Sequence, residues 1–115
     1  MNFLKTCTAI NEICWTIDHL GFGKKSIFSI KFTNYENSRE IKIFLQEKEA
    51  WEAFKEYIEK NMEIAGRKIK SIGIFKDNRK LRKNVKMIKL LFDKNDTDKE
   101  LEAIIEAQFL PAKEE

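Results

Sequence analysis

The spacing of apolar residues changes four times along this chain, from helical to alternating and back, which restricts it to a mixed fold of helices and strands. Phe3, Cys7, Ile10, Cys14, Ile17 and Gly21 recur in steps of four and three, and Leu4, Ile13 and Leu20 widen the stripe. This predicts a helix over about 3–20, stopped by Gly21 and Gly23. Residues 26–33 then alternate, with Phe28, Ile30 and Phe32 against Ser29, Lys31 and Thr33. Residues 40–45 do the same, with Ile41, Ile43 and Leu45 inward. Asn34-Tyr35-Glu36-Asn37 between them is turn chemistry, so the two strands read as a hairpin with one buried face.

Helical spacing returns over 47–65, where Trp51, Phe54, Ile58, Met62 and Ala65 share one side. Gly66 is placed as its C-terminal cap, and Glu56 and Lys60 as a favourably ordered ion pair. A second hairpin follows. Ile72 and Ile74 alternate with Lys70 and Lys76 on its first strand, and residues 85–92 form its second. The adjoining apolar pair Met87-Ile88 predicts a bulge in that second strand. Thr97-Asp98-Lys99-Glu100 has the capping-box pattern of a last helix, which would bury Leu101, Ile104, Ile105 and Gln108 or Phe109 before Pro111. The expected fold is α+β, in the order α-ββα-ββα, with a four-stranded antiparallel sheet and helices packed on one face. At 115 residues it is expected to be a single domain, 1–115, with a frayed tail at 111–115.

Charge is distributed unevenly along this framework. Residues 67–89 hold ten bases (Arg67, Lys68, Lys70, Lys76, Arg79, Lys80, Arg82, Lys83, Lys86 and Lys89) and one acid, Asp77. The whole chain has 22 basic and 19 acidic residues, which leaves 12 bases against 18 acids elsewhere. A net charge of +3 therefore conceals one strongly positive segment on an acidic remainder. Clustered positive charge attracts anions, and nucleic acid above all. The candidate nucleic-acid-binding residues are Lys70, Lys76, Arg79, Lys80, Arg82, Lys83, Lys86 and Lys89, on the hairpin strands and its tip. Phe75 is the one aromatic within the segment, which argues against base stacking as the main contact. The bland reading is a solvated face whose bases pair with acids elsewhere.

Other constellations favour structure over chemistry. Asp18-His19 lies at a predicted helix end, where a basic ring suits the dipole, and no nucleophile accompanies it. Residues 93–98 resemble a calcium loop, but Asp98 stands at the turn glycine and Ile104 at the bidentate Glu. Gly21-Phe22-Gly23-Lys24-Lys25 lacks the spacing of a phosphate loop. Trp15 and Trp51 read as core anchors, and Tyr35, at a turn, as the better contact aromatic. Cys7 and Cys14 on one helix would be about 10 Å apart, beyond the roughly 7 Å of a disulfide, so both read as free thiols of a reducing compartment.

The N-terminus has no signal-peptide pattern, and no apolar run approaches membrane-spanning length. The expectation is a soluble cytoplasmic protein that is not an enzyme, with no cofactor and no metal. It would be a nucleic-acid-binding accessory or regulatory protein working through the basic β-hairpin. The alternative is a protein-interaction module that docks on an acidic protein surface, such as a phage- or plasmid-type inhibitor of a host defence protein. The acidic helix face (Glu47, Glu49, Glu52, Glu56, Glu59 and Glu63) could meet the basic hairpin of a second copy, which would give a homodimer.

Overall fold

The computed structural model describes residues 8–75, 85–94 and 105–108. They form an α+β fold with two α-helices, a four-stranded antiparallel sheet joined at one edge by a short further strand, and a separate two-stranded ribbon.

The first helix, α1, spans Thr8–His19 and buries Ala9, Ile10, Ile13, Thr16 and Ile17. Cys14 and Leu20 pack at the margin of this stripe. The expected start of the helix, with Phe3, Leu4 and Cys7, lies outside the described residues. Its end follows from Gly21. That residue has φ +98°, its N–H donates to the Asp18 carbonyl at 3.0 Å, and the Phe22 N–H reaches back to Ile17 at 3.0 Å. These paired bonds satisfy carbonyls that a helix end otherwise leaves open, and they require a left-handed residue that glycine supplies without strain. The following Lys24–Ser26 is a 3-10 turn leading into the sheet, so the glycine-containing loop is a connection.

Strands β1 (Ile27–Asn34) and β2 (Ser38–Leu45) form the expected hairpin around residues 35–37. The register shifts between Ile27 and Ser29, so Phe28 is an extra residue. This bulge turns Ile27 to the same side as Ile30, and both are fully buried. Phe28, expected inside, is only half-buried.

Helix α2 spans Lys48–Asn61 and buries Ala50, Trp51, Phe54 and Ile58. It ends earlier than its apolar spacing suggests. Met62 adopts φ 52° and donates its N–H to the Ile58 carbonyl at 2.7 Å, so Met62 is the cap and Gly66 is not. The next residues form a ribbon of β3 (Glu63–Ile64) and β4 (Arg67–Lys68) around Ala65 and Gly66. Their φ values of 50° and 81° are the double positive pair of a tight hairpin turn, which is where Gly66 is needed. The ion pair found on α2 is Lys55–Glu59, at 4.0 Å, rather than Glu56–Lys60.

Strands β5 (Ser71–Phe75) and β6 (Lys86–Asp93) pair without a break from Ser71↔Leu91 to Phe75↔Met87. No bulge occurs at Met87-Ile88. The two apolar residues adjoin because β6 is buried on both faces there, with Met87 7 % and Ile88 0 % exposed. The hairpin tip, 77–84, lies outside the described residues.

Ile105–Gln108, expected in a last helix, is instead strand β7, antiparallel to β1. Glu, Ala and Gln favour a helix, but Ile-Glu-Ala-Gln also alternates, and the free edge of β1 offers backbone partners from Ser29 to Phe32. Residues 97–104 of the expected helix lie outside the described residues. The strand order is β5-β6-β2-β1-β7.

One face of the sheet presents Ile30, Phe32, Ile41, Ile43, Ile88 and Leu90, which join the buried residues of α1 and α2 in one cluster. The Trp51 indole N–H donates to the Met87 carbonyl at 3.3 Å, which ties α2 to β6. No helix among the described residues is long and apolar enough to cross a membrane.

The positive-φ glycines give a stability test. A Cβ built at Gly21 or Gly66 meets nothing within 4 Å, so alanine there costs backbone strain alone. Gly21→Ala and Gly66→Ala are each expected to lose about 1–2 kcal/mol in urea unfolding, and Gly23→Ala markedly less. Equal losses at all three would contradict this account of the turns.

Candidate nucleic-acid interface

The basic segment is distributed over several elements, and strand alternation decides where its members go. Arg67 serves the fold. Its guanidinium donates to Thr8 Oγ1 at 3.2 Å and to the Ala65 carbonyl at 3.3 Å, linking the β3–β4 ribbon to α1. Lys70 is exposed just before β5, with Nζ 3.1 Å from Asp93 Oδ1, an ion pair too open to water to contribute much. Lys86 and Lys89 are three residues apart on β6 and so point to opposite faces. Lys86 lies opposite Leu45, on the helix-covered side, whereas Lys89 lies on the other. Lys76, Arg79, Lys80, Arg82 and Lys83 lie outside the described residues.

The second face of the sheet brings Lys89 together with residues far away in sequence. Lys89 is directly opposite Lys42 on β2, and Lys42 is directly opposite Lys31 on β1. Three lysines thus lie side by side across three adjacent strands. At the usual strand separation the row spans about 10 Å. Beyond it, Gly73 is in register with Lys89 on β5, and Glu106 is in register with Lys31 on β7.

Like charges placed directly across strands repel. Glu40 offsets part of that repulsion. Its Oε1 is 3.7 Å from Lys42 Nζ and its Oε2 is 3.7 Å from Lys89 Nζ. Glu40 is only 3 % exposed, while the lysine side chains are 28 % and 36 % exposed. A carboxylate this buried needs partners, and it has a third in the Tyr35 hydroxyl, which donates to Oε1 at 3.1 Å. Lys31 makes no ion pair among the described residues.

The β1–β2 turn holds Tyr35 in place. Buried Arg39 donates to the carbonyls of Tyr35 and Ser38, each at 2.9 Å. Tyr35 remains 47 % exposed, as a contact aromatic would be. Trp15, read as a core anchor, is not one. It is 57 % exposed and stacks on His19, with ring centroids 4.8 Å apart and planes 9° from parallel. The i,i+4 spacing of Trp15 and His19 places both rings on the outer side of α1. His19 is the last residue of α1, so its place is that of a basic residue at a helix C-terminus. Asp93, the first residue of the calcium-like loop, is exposed and paired with Lys70, and the described residues contain no cluster of three or more His, Cys, Asp or Glu side chains placed to hold a metal ion.

Sequence clustering missed Lys31, Lys42 and Glu40. Hairpin geometry carries a signal for them. A turn centred between Glu36 and Asn37 places residue 31 across from residue 42, and both are polar-face positions of the alternating strands.

Partial burial, the hydrogen bond to Glu40 and the negative charge of Glu40 together raise the Tyr35 phenol above its ordinary 10. The protonated phenol is therefore favoured by the fold. Its contribution is present below pH 10 and is lost as pH rises through the higher folded value. In a Tyr57→Phe background, the absorbance titration of Tyr35 near 295 nm is expected to have a midpoint above 10 and to fall toward 10 on Glu40→Gln. A midpoint insensitive to Glu40 would contradict the contact. Comparison with protein-family models, curated proteins and solved structures returned no match to this chain, so its reading rests on this geometry and on charge.

Proposed function

We propose that this chain is a small, non-catalytic, cytoplasmic nucleic-acid-binding protein of accessory or regulatory type, with the basic β5–β6 hairpin as its contact element. The observation that carries this reading is the segregation of charge. Ten bases stand against one acid over residues 67–89, while acids outnumber bases in the rest of the chain. Among the described residues of the segment, Lys70 pairs with Asp93, Lys89 with Glu40, and Arg67 is engaged by the fold.

Each phosphate met by a lysine or arginine releases condensed counterions, and several such contacts give affinity that falls steeply with salt. Arginines suit this role because the guanidinium offers paired donors to phosphate oxygens. Lysines act as point charges that tolerate many backbone geometries. The contact is expected to be made mainly to the backbone, since the segment has little aromatic surface for stacking.

Fluorescence anisotropy with labelled single- and double-stranded DNA and RNA tests the reading. Binding to at least one of these is expected, with Kd rising about tenfold or more between 50 and 200 mM salt. The double variant Arg79→Glu, Arg82→Glu is expected to bind at least about tenfold more weakly. Absence of binding at low salt would overturn the proposal and direct the search to an acidic protein partner by pull-down.

A further inference from the structure

We infer that the nucleic-acid surface continues beyond the hairpin onto the second face of the sheet, where Lys89, Lys42 and Lys31 form a row that binds backbone phosphates and Glu40 is the internal anion they exchange for them. This inference rests on the nucleic-acid reading above.

The row breaks a rule of strand pairing. Directly opposed cations cost stability, and opposed threonines or alternating charges would serve a purely structural face better. Local rules of this kind are broken most often where function requires it. Here they are broken twice in succession, at Lys31↔Lys42 and Lys42↔Lys89.

Glu40 holds two of these lysines at long range. At 3.7 Å, both contacts are longer than a charge-assisted hydrogen bond of about 2.7–2.9 Å. The carboxylate lies beneath the surface, and the lysine side chains remain partly open to solvent. A phosphate arriving from the solvent side can therefore draw the ammonium groups outward into shorter bonds. Glu40 then keeps Tyr35 but loses cationic partners, which costs free energy because it is buried. Glu40 thus tempers affinity as well as ordering the row.

The row also has a direction. Glu106 occupies the register position at its β7 end, while its other end lies on β6, the strand that leads back into the basic hairpin. On the β6 side the row thus lies on the strand that carries the end of the basic segment in sequence, and on the β7 side its neighbour in register is Glu106.

The test compares salt slopes of oligonucleotide binding for Lys31→Ala, Lys42→Ala and Glu40→Gln, with far-UV circular dichroism and thermal melts confirming that each variant folds. Each lysine variant is expected to flatten the slope by about one and weaken binding for all sequences alike. Glu40→Gln, which keeps an acceptor for Tyr35, is expected to bind severalfold more tightly. Acetylation footprinting of the wild-type protein provides a readout that needs no variant. Lys31, Lys42 and Lys89 are expected to lose reactivity when oligonucleotide is present.

Unchanged slopes, unchanged footprints and no tightening in Glu40→Gln would overturn the inference. If Arg79→Glu, Arg82→Glu still abolished binding, the surface would end at the hairpin and the nucleic-acid reading would stand. Failure of the wild-type protein to bind any oligonucleotide would overturn both.

Discussion

Pairing of β2 between β1 and β6 is the constraint on which the rest of this structure depends. β2 lies third in the order β5-β6-β2-β1-β7 and is paired along its whole length with β6. Its alternation assigns the two faces. Ile41, Ile43 and Leu45 are fully buried on one side, while Glu40 and Lys42 lie on the other. A slip of one residue in either pairing would exchange these sets. It would bury lysines beneath the helices and turn isoleucines outward, so the hydrophobic effect fixes the register. The same register sets the positions of the lysine row. Apolar burial on the helix side places Lys31, Lys42 and Lys89 in line on the other.

Two local devices keep the frame consistent. The bulge at Phe28 restores the inward direction of Ile27 after the chain leaves the 3-10 turn, where an unbroken strand would turn it the wrong way. Arg39 fastens the β1–β2 turn to its own carbonyls and leaves its Nε without a partner among the described residues. That unsatisfied group carries a cost, as does the buried carboxylate of Glu40. Both costs fall at the Tyr35 end of β2, Arg39 on the helix side of the sheet and Glu40 on the other.

Much of this frame was legible in the sequence where periodicity was strict. The β1–β2 hairpin and the core side of α2 follow from alternation and from four-and-three spacing. The β3–β4 ribbon was illegible because two-residue strands have no period, and Gly66 satisfies the signature of a helix cap as well as that of a tight turn. Met87-Ile88 looked like a bulge because adjacency of apolar residues does not distinguish a shifted register from a strand buried on both faces. β7 was misread because Glu, Ala and Gln carry helix propensity, and the open edge of β1 that overrides it is a tertiary fact. The site divides in the same way. Lys70, Lys86 and Lys89 were visible as neighbours in sequence. Lys31, Lys42 and Glu40 become neighbours only once the register is known, and alternation then separates Lys86 from Lys89.

The central claim is that positive charge on this sheet and its hairpin is a nucleic-acid surface rather than solvated exterior. The most direct measurement is a titration of isotopically labelled protein with a short oligonucleotide, followed residue by residue by NMR. The account predicts shifts concentrated at Lys31, Lys42, Lys89 and the 76–86 hairpin, diminishing as salt is raised, with α1 and the outer side of α2 undisturbed. Shifts centred on Trp15 and His19, or no shifts at low salt, would contradict it.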